Sequence, residues 1–102
     1  MADAAAVVGV LRAARERLSE PGVWVQGTEG IGDDHDCLYT ALMTVRPSRS
    51  RSASHKAVEL LKRHGDALWC VPTWNDAPGR TLDEVLAVLD AAIERAEREA
   101  GR

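Results

Sequence analysis

The pattern of hydrophobic and polar positions first predicts an amphipathic helix over residues 3–19. Apolar residues recur there every three or four positions, on one helical face: Val7, Val10, Leu11, Ala14 and Leu18. The sequence Glu20-Pro21-Gly22 should end this helix, because proline cannot continue the hydrogen-bond ladder and glycine accepts a left-handed backbone.

Three more helices follow from the same spacing. One is predicted over 37–45, capped by Asp34 or Asp36, with a buried stripe at Leu38, Ala41, Leu42 and Val45. The next should begin at Ser52 or Ser54 and end at Gly65. For the last helix, Thr81 and Glu84 have the spacing of a capping box, and its apolar stripe is Leu82, Val85, Leu86, Leu89, Ile93 and Ala96.

Two short runs have the composition of β-strands. Residues 23–26 and 68–71 are rich in β-branched and aromatic side chains, and each ends at a glycine or proline. We therefore predict a single α+β domain over residues 1–102, with four helices packed on a two-stranded sheet in the order α-β-α-α-β-α. Residues 27–35 and 46–53 should form flexible loops, and residues 97–102 should fray.

Composition narrows the class of protein. The chain has 102 residues, a net charge of −3, three Trp, no Phe and two Cys. A negative chain does not attract nucleic acid as a whole, and two cysteines are too few for the disulfide framework of a small secreted domain. No stretch has the length of a membrane span or the form of a signal peptide. These features predict a cytoplasmic protein that does not associate with membranes.

The segment Trp74-Asn75-Asp76-Ala77-Pro78-Gly79-Arg80-Thr81 is the most distinctive motif. Together with the Trp-x-Gln-Gly run at 24–27 and the Cys37 and Ala41-Leu42 positions, it resembles a family of small actinobacterial and actinophage proteins of unknown function. The resemblance spans most of the chain. It implies a compact bacterial or phage cytosolic domain and carries no activity with it.

Cys37 is the one candidate nucleophile. It falls at a predicted helix N-terminus, where the helix dipole stabilises a thiolate. With His64 or His55 as base and Asn75 or Asp76 as the orienting group, the order Cys-His-Asn would follow the logic of papain-like hydrolases. The alternative is a packed structural cysteine, because cysteine is among the most buried residue types. We favour the structural role, and so predict that the protein is not an enzyme.

Two charged segments allow other functions. Residues 33–37 combine carboxylates, an imidazole and a thiol, but adjacent residues cannot all point at one ion, so we predict no metal and no cofactor. Residues 46–63 carry six Lys or Arg against one Glu. This basic segment lacks aromatic residues for stacking on bases, which makes nucleic-acid binding the weaker alternative.

The remaining material for a site is aromatic and polar. We expect an interaction or regulatory module that binds a protein partner, with a homodimer left open. An exposed tryptophan should supply most of the affinity. The predicted partner-binding residues are Trp24, Gln26, Trp74, Asn75, Asp76, Arg49 and Arg51.

Overall fold

The computed structural model describes residues 4–26, 36–44, 51–62 and 71–101, and about 78% of this part of the chain is helical. Its helices are α1 (Ala4–Ser19), α2 (Leu38–Thr44), α3 (Arg51–Lys62), α4 (Val71–Asn75) and α5 (Leu82–Ala100). No helix in these ranges is both long enough and apolar enough to cross a membrane.

The prediction of an α+β fold is wrong, because the described residues contain no strand and no sheet and the fold is all-α. Residues 23–26 form only an isolated parallel bridge, between Trp24 and Asp36. Of the second expected strand, Val71 is the first residue of α4, and residues 68–70 lie outside the described ranges. Val71, Trp74 and Asn75 are buried together, and their spacing is that of a helical face.

The longest helices, α1 and α5, pack against each other and form the centre of the fold, and the ion pairs between them show that they run in antiparallel directions. The buried positions of α1 are the five predicted from its spacing, so this face is confirmed. Outside the core, Arg12 reaches Glu97 (2.6 Å) and Arg15 pairs with Asp90. These ion pairs are solvent-exposed and contribute little to stability.

The start of α5 is also confirmed. The Thr81 hydroxyl accepts a hydrogen bond from Glu84 N (3.2 Å), and the Glu84 carboxylate accepts one from Thr81 N (2.9 Å). This reciprocal pair satisfies two of the backbone donors that a helix start leaves open. At the other end the helix continues to Ala100, into the stretch expected to fray.

Helices α2 and α3 lie against α1 and against each other. In α2, Leu38, Ala41 and Leu42 are buried as predicted, and Val45 lies outside the described residues. Helix α3 begins at Arg51, so residues 51–53 belong to a helix and not to the expected loop, and the expected caps Ser52 and Ser54 lie inside it. The apolar face of α3 already begins at the buried Ala53, which explains the earlier start.

Two turns bring distant segments together. Gly22 has φ +80°, the left-handed conformation predicted for the end of α1. Between α4 and α5, Arg80 N donates to Ala77 O (3.0 Å) and Gly79 has φ +81°. Proline followed by glycine with a positive φ is the pattern of a type II turn. This turn directs Arg80 back towards α4.

Candidate functional site

Asn75 is the last residue of α4 and is fully buried, with 0% of its surface exposed. Burial of a polar side chain is costly unless all of its hydrogen-bonding groups are satisfied. We call its surroundings the Asn75 junction: residues 24–26, 36–38 and 74–77.

All the hydrogen-bonding capacity of the Asn75 amide is used within the junction. Its Oδ1 accepts from the indole Nε1 of Trp24 (2.7 Å) and from the backbone N of Leu38 (3.1 Å). Its Nδ2 donates to Val25 O (3.1 Å) and to Asp76 Oδ1 (2.9 Å). One side chain therefore ties together three segments that are far apart in the sequence.

The amide of Asn75 also explains why residues 23–26 do not form a sheet. Asp36 N donates to Val23 O (2.9 Å), and Val25 N donates to Asp36 O (3.1 Å). In a parallel ladder the next hydrogen bond would run from Leu38 N to Val25 O. Instead, Leu38 N bonds to Asn75 Oδ1 and Val25 O to Asn75 Nδ2. The amide is inserted between the two segments and ends the ladder after one bridge.

Gln26 and Asp76 form the exposed part of the junction. Both residues are exposed. The Gln26 amide donates to Asn75 O (3.0 Å) and to Ala77 O (2.9 Å), so it covers the end of α4. Trp24 is half-buried and packs against the core. The result is a surface with an aromatic ring, an amide and a carboxylate in fixed relative positions.

Trp74 lies beneath Arg80. The Arg80 guanidinium is 3.9 Å from the centroid of the Trp74 ring, which is only 8% exposed, and Arg80 Nε donates to Trp74 O (3.0 Å). Arg80 also pairs with Glu84 (3.1 Å). Hydrogen bonding from the backbone of Thr81 is the main reason why the pKa of the Glu84 carboxyl lies below its ordinary value. Trp74 is thus a structural residue that links the turn to α4.

On the other side of the junction, Asp36 pairs with Arg17 of α1 (2.9 Å). Asp36 is 7% exposed, and a carboxylate so far from water requires a charged partner. This pair fixes the second segment of the junction to the central helix.

Cys37 is 5% exposed and directly precedes α2. Cys37 N donates to the hydroxyl of Thr40 (2.9 Å), and Thr40 N donates to Cys37 Sγ (3.5 Å). This exchange has the form of a helix cap in which the thiol acts as a weak acceptor. His64 lies outside the described residues, and the Asn75 amide is bonded to other groups.

The structure therefore brings five of the predicted partner-binding residues together: Trp24, Gln26, Trp74, Asn75 and Asp76. Trp74 and Asn75 are buried, which leaves the other three to face solvent. Arg51 begins α3, and Arg49 lies outside the described residues. Sequence reasoning missed Arg80, Arg17 and the pairing of Asp36. A Pro-Gly turn directly before Arg80 was the available signal for the first of these.

Other features of the described residues offer less chemistry. A cavity of about 60 Å³ is lined by Ala4, Val7, Lys56, Ala96 and Glu99. Pockets for small-molecule ligands usually have volumes of roughly 300–1,000 Å³. Within the described ranges, no group of three or more His, Cys, Asp or Glu side chains is placed to hold a metal ion.

These observations define the class of protein: a bundle of helices with a polar junction at one end. The model of a family of unknown function, DUF6197, matches residues 2–95, so the chain belongs to that family. No curated protein and no solved structure matches it significantly.

Proposed function

We propose that this chain is a non-enzymatic interaction or regulatory module that binds a protein partner through the exposed side of the Asn75 junction. One observation carries the proposal. Trp24, Gln26 and Asp76 come from segments about 50 residues apart, and each is hydrogen-bonded to residue 75.

The arrangement is suited to binding because it is held in place before a partner arrives. Groups that are already ordered lose little conformational entropy on association. The half-exposed indole of Trp24 supplies apolar area, and tryptophan is enriched among the residues that dominate binding energy. Gln26 and Asp76 supply polar contacts around it. In this proposal Trp74 and Asn75 are positioning residues and do not touch the partner.

The setting we propose is the cytoplasm of a bacterium or the interior of a phage-infected cell. Two points support it: the low cysteine content, and the resemblance of the 74–81 motif to actinobacterial and actinophage proteins.

Site-specific photocrosslinking tests the proposal. A photoreactive amino acid is placed at Gln26 in the native host, and at the exposed His55 of α3 as the control. We expect a protein that is crosslinked at position 26 and not at position 55. The purified pair then gives the dissociation constant, which Gln26→Ala should raise about 10-fold, equivalent to about 1.4 kcal/mol.

His55→Ala is the matched control and should leave the dissociation constant unchanged. A crosslink at both positions, or a Gln26→Ala variant that binds as tightly as the wild type, would contradict the proposal. Far-UV circular dichroism and urea unfolding of each variant separate lost binding from lost folding.

A further inference from the structure

Two carbonyl groups of the turn after α4 each accept one hydrogen bond from Arg80 and one from another group. Trp74 O accepts from Arg80 Nε (3.0 Å) and from Ala77 N (3.3 Å). Ala77 O accepts from the backbone N of Arg80 (3.0 Å) and from the side-chain amide of Gln26 (2.9 Å). Arg80 therefore holds the same short segment, residues 74–77, to which Gln26 is bonded.

The Arg80 side chain is fixed in this position by three contacts. Its guanidinium lies 3.9 Å from the centre of the Trp74 ring and pairs with the Glu84 carboxylate (3.1 Å). With the bond from Nε to the Trp74 carbonyl, these contacts leave only 19% of the side chain exposed. Arginine suits this position because its planar guanidinium stacks on an aromatic ring while its N–H groups donate in the plane. A lysine ammonium has neither the planar group nor the Nε donor.

Gln26 depends on the same segment for its orientation. Its Nε2 donates to Asn75 O (3.0 Å) and to Ala77 O (2.9 Å). An amide nitrogen carries two hydrogens, so one is available for each of these carbonyl groups. The path of residues 74–77 sets the relative positions of the two carbonyl groups. A shift of the turn would break one of the two bonds and leave the Gln26 amide free to rotate.

From this network we infer that Arg80 is a positioning residue of the proposed binding surface. It holds the turn in the conformation that orients Gln26 for the partner, and it does not touch the partner itself. The inference rests on the proposed function, because it adds a residue to the same site. Arg80 contributes to affinity through Gln26, since a side chain that is ordered before binding loses less conformational entropy on association.

Substitution of Arg80 by lysine tests this role, because the change keeps the positive charge and removes the stacked guanidinium with its Nε donor. The first readout is the order parameter of the Gln26 side-chain amide, measured by ¹⁵N relaxation NMR on the free protein. In the wild type this amide should be as rigid as the backbone, with an order parameter of about 0.85, and in Arg80→Lys the value should fall below about 0.6.

Arg15→Lys is the matched control. Arg15 also donates from Nε to a carboxylate, that of Asp90 on α5, but this pair lies more than two helical turns along α5 from the turn at residues 74–77. The control should leave the order parameter of the Gln26 amide unchanged. Far-UV circular dichroism of each variant checks that the helices are retained.

The second readout is a double-mutant cycle, measured with the protein that crosslinks at Gln26. Arg80→Lys should raise the dissociation constant about threefold to tenfold. In a Gln26→Ala background the same substitution should change the constant by less than about twofold, because the side chain that Arg80 orients is absent. A general loss of folding would instead raise the constant by the same factor in both backgrounds.

A flexible Gln26 amide in the wild type, or an order parameter that does not change in Arg80→Lys, would overturn the inference. Equal factors in the two backgrounds would also overturn it. Failure of the proposed function is a different result, namely that no protein crosslinks at position 26. The relaxation measurement needs no partner, so it decides whether Arg80 orients Gln26 in either case.

Discussion

Replacement of Asn75 by alanine tests the central physical claim, that one buried amide holds the junction together. The change removes four hydrogen bonds. It also leaves the space of the amide empty in a position with no exposed surface. Because three segments depend on this side chain, the loss should appear in global stability.

The size of the effect can be worked out from the groups that lose their partner. A buried donor or acceptor without a partner costs about 1–3 kcal/mol. Leu38 is fully buried, so its N–H should incur the full cost. Trp24 and Val25 are half-buried, and water can satisfy part of their loss. We therefore expect Asn75→Ala to lower the free energy of unfolding by about 3–4 kcal/mol, out of a typical 5–15 kcal/mol.

Urea unfolding followed by far-UV circular dichroism and by tryptophan fluorescence measures this loss. The control is Glu94→Ala, an exposed change on α5 that should stay within about 0.5 kcal/mol of the wild type. A loss for Asn75→Ala as small as that of the control would refute the reasoning. It would mean that Leu38 N–H bonds directly to Val25 C=O once the amide is gone.

The substitution Asn75→Asp tests the hydrogen-bond donor of the Asn75 side chain separately from its acceptor. The substituted side chain keeps the shape and the acceptor that binds Trp24 and Leu38, but it directs a carboxylate oxygen at Val25 O and at the carboxylate of Asp76. Burial and the neighbouring carboxylate raise the pKa of such a group, so the variant should regain stability relative to the wild type as pH falls towards about 4–5. An unchanged difference between the two proteins across this range would contradict the account.

Other parts of the fold give further predictions. Trp24→Phe removes one donor to the junction and should cost about 1–2 kcal/mol in urea unfolding, together with loss of the protected indole resonance in NMR spectra. Thr81→Ala removes the cap of α5 and should cost about 1 kcal/mol by the same assay; no measurable loss would contradict the capping box. The pKa of Glu84 is lowered in the folded state, so its contribution is present above the ordinary value of 4.5 and lost as pH falls through the folded pKa. Glu84→Gln should therefore lose less stability than the wild type on acidification. Cys37 should react with iodoacetamide far more slowly in the native than in the urea-unfolded protein, as measured by mass spectrometry of its peptide, and equal rates would contradict its burial.

The sequence predicted the long helices well because their signals are local. The stripe of α1 requires only the helical period, and each of its five expected core residues is buried. The Thr81–Glu84 box lies within one turn, and it starts α5 as expected. These features depend on neighbours three or four residues away, which a sequence displays directly.

The expected strands failed for a physical reason that no local pattern contains. A short run rich in β-branched and aromatic residues also fits a buried helix or an isolated bridge, and neighbouring segments decide between them. Val71 lies on the same helical face as Trp74 and Asn75, and all three residues are buried, so Val71 belongs to α4. Beside residues 23–26, the Asn75 amide occupies the position in which a second strand would have continued the hydrogen-bond ladder.

The candidate site was likewise predictable only in part from the sequence. Its residue types were recognisable, because a Trp-Asn-Asp turn and a Trp-x-Gln run have the polar and aromatic content of a binding surface. The roles of these residues could not be recognised from the sequence, because burial depends on the whole chain. Trp74 is covered by Arg80, whereas Gln26 and Asp76 are exposed.

The sequence by itself therefore determined the amphipathic helices, the cap of α5 and the composition of the turn that precedes it, because each depends on contacts within a few residues. Only the tertiary structure decided that Asn75 is buried, and that its amide joins segments about 50 residues apart and ends a ladder after one bridge. A hydrogen bond between distant residues has no sequence period. It exists only once packing has excluded water from both groups.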